Sequence, residues 1–495
     1  MAKIAIINLI VLAILLLGCK ESSDTGTFVE APCPIDVPED LIESGKFSYG
    51  YMEVPELHEN PSGKTIELAI AIHKCQGDSA THEPFVLITG GPGMSDIDNF
   101  VPDLFGDLGG LFLNNRDIVI IELRGLKYSK PNLILPEIDN LQLYLADKNL
   151  SVEHTIDLYM DSLQSAYDRL EQEGVNLSAY NDYEIANDIV YVMKQLNYEK
   201  FSVFGSSFGT LVTEHLLLNH SEHLVSVTMN AVVDINKAMP GMHTNSIQAL
   251  EDIFEKCEND PELSEAYPDL KNRFLSTLKR LNESPDTLDI EYWKNGEMYK
   301  IPLNGNKLSV WLFGMMYWDA QIPSTLDKIL SGDYTQIIQN PGMIFPLNEF
   351  SYGLSLSILL SEYSNIEDDA IPLNTEYVDY VKGCGTMMFT PYFLSHAREV
   401  WKVNDLQKNN LSLVSDVPTL MLSGELDHVC PPKYARDLSK NLENSYLYVF
   451  PGIAHSPIDF GPCGIMMMKE FIDDPSKAPN SSCVEQFQSG FNLPE

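Results

Sequence analysis

Ser207 is the residue whose setting first points to chemistry. It stands at the centre of Gly205-Ser206-Ser207-Phe208-Gly209, after the apolar run FSVF and before TLVTEHLLLNH, which has a helical pattern. A serine hydroxyl is a weak nucleophile in water, so acyl transfer needs it exposed at the end of a strand, beside a base and beside donors for the developing oxyanion. A tight strand-to-helix turn gives that exposure and crowds the residues two before and two after it. Glycines flank at those two positions, and Ser206 is out of register. In this arrangement an acid and then a histidine follow later in the chain, each just past a strand. Asp427 follows TLMLSGEL and His455 follows YLYVFPGIA. His455 is expected to take the proton of Ser207, while Asp427 fixes the tautomer of the ring and stabilises the imidazolium.

The oxyanion needs the N–H of the residue after the nucleophile, here Phe208, and one from an early loop. LITGGPGMS supplies that loop; Gly90 and Gly91 let the backbone come close, and the Gly91 N–H is the expected second donor. His428 competes with His455 by nearness to Asp427, but a neighbour of the acid in sequence points elsewhere. The remaining histidines lack a strand-end setting and read as surface or core residues. No Cys-x-x-Cys or His-Glu-x-x-His occurs, and His220-x-x-His223 reads as a surface pattern, so no metal site is expected.

These residues need a sheet to hold them. PFVLITGGPG and RDIVIIELRG are short apolar runs stopped by Gly, as buried strands are, and TIELAIAIHK alternates as a half-buried strand. NDYEIANDIVYVMKQLNYEK carries Ile185, Ile189, Val192 and Leu196 at helical spacing and feeds FSVFG; HLVSVTMNA follows as a strand. Such alternation predicts an α/β domain with a parallel sheet and crossover helices. From about Lys237 to Ser412 it stops, and SIQALEDIFEKC, DLKNRFLSTLKRL, LSVWLFGMMYW and FLSHAREVW predict a helical insertion rich in Met and aromatics. PTLMLSGELD and NSYLYVFPGIAH then restore the sheet.

The balance of 71 acidic against 32 basic residues gives a net charge of −39, with no basic stripe, and excludes nucleic acid as a partner. The carboxylates are spread along the chain, as on a strongly solvated surface. The apolar run from Ile4 to Leu17 is short for a span of ~20 residues and reads as a secretory signal. Its end, Leu16-Leu17-Gly18-Cys19, is similar to a bacterial lipobox, which makes Cys19 the lipidated residue and the membrane a partner. Lys20 after that Cys favours the outer membrane over the inner. Besides Cys19, seven cysteines remain, so at least one is expected to be unpaired within the chain.

Together the motifs resemble the α/β-hydrolase serine peptidases of the proline iminopeptidase and tripeptidyl aminopeptidase type. The likeness runs through YGYMEVPELHENPSGKTIELAIA, FVLITGGPGMS, RDIVIIELRGLKYSKP, the serine turn, VPTLMLSGELDHVCPPKYARDLSKNLENSYLYVFPGIAHSPI and PCGIMMMKEFIDDPSKAPNSSCV. It covers about residues 47–490 and is weakest across the insertion. It implies an α/β-hydrolase fold with a mostly parallel central sheet and a helical cap, hydrolysis of short peptide substrates from the free amino end through an acyl-enzyme, and no cofactor. Acidic cap residues would hold the substrate ammonium. The boundaries that follow are a lipoprotein signal over 1–19, a tether over 20–45, the core over 46–236 and 413–495, the latter resembling the tripeptidyl aminopeptidase C-terminal part, and the cap over 237–412.

By the same resemblance Cys463 and Cys483 form a disulfide; Cys33 with Cys75 and Cys257 with Cys384 are the pairs left over. Cys430 stands where Thr is usual and is expected to be a free thiol without a catalytic role. Thr89 replaces the family's His before the glycines, and Glu122-Leu123 replace its Asp-Gln before Arg124-Gly125, positions expected to shape the pocket. Two other readings remain: a carboxylesterase or lipase-like enzyme whose Met-rich insertion, with Trp311, Phe313 and Trp318, lines an acyl pocket, and a surface lipoprotein that binds without turnover.

Overall fold

Short apolar or alternating runs form the strands of one nine-stranded sheet and a separate hairpin. In chain order they are β1 (Phe28–Glu30), β2 (Phe47–Pro55), β3 (Thr65–His73), β4 (Phe85–Ile88), β5 (Ile118–Ile121), β6 (Phe201–Ser206), β7 (Leu224–Asn230), β8 (Asp286–Tyr292), β9 (Glu297–Leu303), β10 (Thr419–Gly424) and β11 (Ser445–Phe450). The computed structural model describes residues 26–77, 80–234, 237–318, 321–363, 371–406, 413–491 and 493. The signal segment and Cys19 lie outside the described residues.

The sheet order is β1-β2-β3-β5-β4-β6-β7-β10-β11. Pairings from β1 to β5 are antiparallel, and every pairing from β5 across to β11 is parallel. All four residues of β4 and all four of β5 are buried, as strands covered on both faces require. Their neighbour β3, read as half-buried, is covered along most of its length. One face packs under helices Asp182–Gln195 and Phe208–Asn219, the other against helix Pro462–Asp473. Because β4, β6, β7, β10 and β11 run the same way, the loops leaving their C-terminal ends share one edge of the sheet. The strand order reverses between β4 and β6, which opens a crevice at that edge.

Arg124, just past β5, clamps this side of the sheet. Fully buried, it donates through Nε and Nη2 to the two oxygens of Asp188 at 2.7 Å each, and through Nη1 to the carbonyls of Glu56 at 2.7 Å and Ala179 at 2.6 Å. The bidentate pair is satisfied on all sides, the condition under which a buried ion pair is tolerated.

The insertion is not wholly helical. Helices Ala238–Asn259, Leu270–Glu283, Gly305–Met315 and Tyr352–Glu362 are its longest described elements, but β8 and β9 pair as an antiparallel hairpin. DTLDIEY alternates in burial residue by residue, a period of two that the surrounding helical patterns masked. The cap also recruits core-side chain upstream of β6: from helix Pro136–Ala146 the Gln142 amide donates to the Tyr352 hydroxyl at 3.1 Å, and on helix Val152–Gln172 Tyr159 meets Phe393 and Tyr167 meets Trp401 edge to face, with centroids 5.4 and 6.0 Å apart.

The tether expected over 20–45 is part of the fold from Phe28 onward. β1 adds to β2 with Phe28 opposite Met52, and Ile35, Val37 and Leu41 pack onto the core. Three residues of strand are too short to read by period, and the backbone pairing that holds them is non-local. Cys463 and Cys483 form the expected disulfide. Cys33, Cys75, Cys257 and Cys384 are all free thiols, so neither of the other two expected pairs forms.

Candidate active site

The turn after β6 is built by close approach. Ser207 has φ 51° and ψ −117°, a left-handed setting that costs a non-glycine residue roughly 1–3 kcal/mol. A Cβ on Gly205 would lie 2.4 Å from the Gly209 carbonyl oxygen, and one on Gly209 would lie 2.7 Å from that of Ile88, so neither position accepts a side chain. The strain is held by the Ser207 N–H, which donates to the Asn230 carbonyl at 2.8 Å, and by Thr210, whose N–H and hydroxyl both donate to the Ser207 carbonyl, at 2.9 and 2.7 Å.

Phe208 opens helix Phe208–Asn219, so its N–H is among the four that an α-helix leaves without an intrahelical partner. The register of β4 on β6 places Ile88 against Gly205, and the loop leaving β4 therefore runs beside the serine. A Cβ on Gly90 would be 3.1 Å from that of Ser207. Gly91 follows at φ +122° and lines the same cavity as Ser207 and Phe208.

Two buried carboxylates hold this loop from behind. Asp96 accepts from the Thr89 N–H at 2.7 Å, and Glu122 accepts from the Ser95 hydroxyl at 3.0 Å and the Ile97 N–H at 2.9 Å. Burial first, then the neighbouring Glu122, drives the Asp96 carboxyl well above its ordinary range. Burial pushes Glu122 up to about 7 against the hydrogen bonds it accepts. None of residues 122–129 lines the cavity, so these positions buttress the loop instead of shaping the pocket as expected.

At the far side of the edge, Asp427 follows β10. Its Oδ1 accepts from the N–H groups of Val429 at 2.9 Å and Cys430 at 2.8 Å, and its Oδ2 lies 2.8 Å from Nδ1 of His455. Burial raises the carboxyl, but the charge and hydrogen bond of His455 and the Cys430 N–H outweigh it and hold Asp427 below its usual value. An ionised carboxylate only accepts, so Nδ1 carries the proton and Nε2 is left as the acceptor. The cap reaches the histidine directly: its N–H donates to the Tyr317 carbonyl at 3.1 Å, and the two rings meet edge to face at 5.0 Å.

Cys430 closes the convergence. Its sulfur, a ring nitrogen of His455 and an oxygen of Asp427 lie within 4.8 Å of one another, and Cys430 lines the cavity together with Ser207 and His455. Imidazole and carboxylate therefore meet, and Ser207 lines the same cavity as His455 and Cys430, although 220 positions separate Ser207 from Asp427 in numbering (427 − 207). The thiol, expected to be free and without a catalytic role, is free. Burial raises it well above its ordinary value, which keeps it a thiol.

Asn230 is the residue that reading the sequence misses. Fully buried at the end of β7, it donates through Nδ2 to the hydroxyls of Ser206 at 3.0 Å and Ser456 at 2.7 Å, while its backbone holds Ser207. It thus links the neighbours of the nucleophile and of the histidine. An Asn closing a strand carries no signal in a single sequence. His428, the competing histidine, is buried with its ring edge to face on Phe313 and Tyr317, with centroids 4.7 and 5.0 Å apart.

Above the serine lies a cavity of about 690 Å³. Its cap wall is Met343, Phe345, Phe350, Met387, Met388 and Phe389 among others, and no Asp or Glu of the described cap residues lines it. Among the described residues the cap contributes Lys307 as its one charged side chain in that wall, with its ammonium donating to the carbonyls of Ala146 at 2.7 Å, Lys148 at 2.8 Å and Pro302 at 3.3 Å. Asp103 and Asp459, both from the core, are the acidic residues in the lining.

The sequence model of the alpha/beta hydrolase fold family matches residues 83–462. No curated protein matches the chain. Among solved structures, MGS-M2, an alpha/beta hydrolase enzyme from a Medee basin deep-sea metagenome library, is similar with 11% identity and a TM-score of 0.39, over 85% of this chain and 98% of its own. An esterase from Exiguobacterium antarcticum is similar with 12% identity and a TM-score of 0.35, over 83% and 97%. A thermophilic esterase from Thermogutta terrifontis has 12% identity and a TM-score of 0.37, over 86% and 99%.

Two outcomes follow from this geometry. Asn230→Ala, which cuts the link between the two loops, lowers kcat/KM by about 100-fold, because misplacing a catalytic group by ~1 Å costs that much; steady-state kinetics on a chromogenic substrate read it. The second concerns pH. Burial depresses His428 and, in the first cap helix, His243 from 6.5 to about 4 each. The unfolded chain takes up these protons below 6.5 and the folded chain does not until about 4, so stability is lost as pH falls across that window. Denaturant titrations should show His243→Leu and His428→Leu each reducing the slope of stability against pH there, by up to about 1.4 kcal/mol per pH unit.

Proposed function

The chain belongs to the alpha/beta hydrolase fold family, and from that premise we propose that it is a serine hydrolase that cleaves carboxylic esters of apolar acyl groups through an acyl-enzyme. The observation that carries the reading is the cavity: an apolar cap wall without a described acidic residue, set over the serine turn. Ser207 Oγ attacks the carbonyl carbon and its proton passes to His455 Nε2. Asp427 holds the ring and stabilises its charge. The N–H groups of Phe208 and Gly91 receive the oxyanion. The alkoxide leaves with the proton of His455, and water, activated by the same ring, releases the acid.

Peptide hydrolysis from the amino end is the second reading. It is favoured by the aminopeptidase resemblance of the sequence and by Asp103 and Asp459, which give the cavity two carboxylates for an ammonium. The lipobox-like sequence supports a further part of the proposal, a mature chain anchored in a bacterial envelope membrane through lipid on Cys19. Among the described residues no helix is long and apolar enough to cross a membrane.

Comparing p-nitrophenyl esters from acetate to octanoate with aminoacyl and tripeptidyl p-nitroanilides tests the substrate class. Ester kcat/KM is expected to exceed that for the anilides by at least about tenfold, and Ser207→Ala to lower it by about 10⁴-fold or more and abolish fluorophosphonate labelling. Faster cleavage of the anilides would transfer the assignment to an aminopeptidase, and a wild type inert to both substrates and label would refute a hydrolase. For the anchor, cells fed an alkyne-tagged fatty acid should label the wild-type chain in the membrane fraction and not Cys19→Ala; equal labelling of both refutes it.

A further inference from the structure

Outside the lining of the cavity, three side chains from three separate elements converge. Asp182 begins helix Asp182–Gln195, His215 lies on helix Phe208–Asn219, and Glu362 ends the cap helix Tyr352–Glu362. All three are buried, and none lines the cavity. His215 Nε2 lies 3.4 Å from Asp182 Oδ2 and 3.9 Å from Glu362 Oε1, and one donor atom from each residue falls within 4.8 Å of the others.

The hydrogen bonding of Asp182 and His215 is incomplete in a way that an ion would complete. Asp182 Oδ1 accepts from the Tyr183 N–H at 3.1 Å, which leaves Oδ2 turned to the cluster with no hydrogen-bond partner among the described residues. Neither ring nitrogen of His215 has one either, although the residue is only 4% exposed. The tyrosine ring of Tyr183 covers the imidazole edge to face at 6.2 Å. No described lysine or arginine pairs with Asp182, and the Arg398 guanidinium nearby donates to the Tyr363 carbonyl at 3.2 Å. Burying carboxylate and imidazole nitrogen without such partners is costly, and a dication between them removes that cost.

We propose that Asp182, His215 and Glu362 bind a divalent transition-metal ion of the zinc class, which clips the cap helix to the helix that carries Ser207 at its start. One imidazole with two carboxylates and no thiolate suits zinc or manganese; calcium and magnesium prefer all-oxygen sites. Two donors held about 2.1 Å from a tetrahedral zinc are about 3.4 Å apart, which is the Asp182–His215 spacing, and the Glu362 contact corresponds to a wider angle. His215 is eight residues beyond Ser207, about 12 Å along the helix, so the ion holds the serine helix without taking part in acyl transfer.

Metal analysis of the full chain tests this, with zinc as the probe. Protein stripped with EDTA and gel-filtered is expected to rebind one equivalent of zinc per chain, measured by mass spectrometry of the element and by competition with a chromophoric chelator, and its Tm to rise by about 2–4 °C. Asp182→Asn and His215→Gln, close in shape to the originals, should both lose the equivalent and the shift. Cys430→Ser should keep both, because it disturbs only the second cluster in which a thiol and an imidazole meet. A wild type that binds no zinc overturns the proposal, as does zinc that is lost with Cys430→Ser or retained in both Asp182→Asn and His215→Gln. The zinc measurement on wild-type protein stands even where a variant fails to fold.

Discussion

Ser207 sits in a backbone conformation that side-chain-bearing residues avoid, and the arrangement around it exists to hold it there. The turn closes only because three glycines let main chain pass main chain: Gly205 against Gly209, Gly209 against the end of β4, and Gly90 against the serine itself. That packing presses the loop after β4 onto the first turn of the serine helix. Gly91 on that loop and Phe208 at the helix start, from distant parts of the chain, then line one cavity. Main chain held this rigidly needs no rearrangement when charge develops beside it.

Polar groups that never meet substrate maintain this geometry. Asp96 and Glu122 hold the glycine loop, Arg124 and Asp188 lock the strand end behind it, and Asn230 ties the serine turn to the histidine loop. Each is buried, and each meets at least one donor or acceptor of complementary kind, which favours a single arrangement. Hydrophobic packing alone would leave these loops free to slide, because apolar contacts are not directional.

The cap does more than roof the site. Tyr317 gives its carbonyl to the backbone of His455 and its ring to the imidazole. Ser351 donates its N–H to the Gly93 carbonyl at 2.9 Å and its hydroxyl to that of Gly125 at 2.6 Å. The segments that wall the cavity therefore also contact His455 and the glycine loop. A change in the cap wall is transmitted to catalytic geometry as well as to the fit of the substrate.

Local sequence alone determined the motifs whose logic is local or ordered along the chain. The glycines around Ser207, the apolar strands stopped by turns, and the acid and histidine placed after later strands all follow from sterics and period, and the structure brings Ser207, Asp427 and His455 to one sheet edge because parallel strands end together. Only the tertiary structure decided what depends on chains meeting across long separations: the pairing of β1 with β2, the β8–β9 hairpin inside the cap, the free state of Cys33, Cys75, Cys257 and Cys384, and the role of Asn230. The same holds for the apolar cap wall and for the meeting of Asp182, His215 and Glu362, whose sequence spacing matches no metal motif. Side-chain type and period are encoded residue by residue, whereas burial and partnership are properties of the packed chain, set by which distant surfaces come to exclude water together.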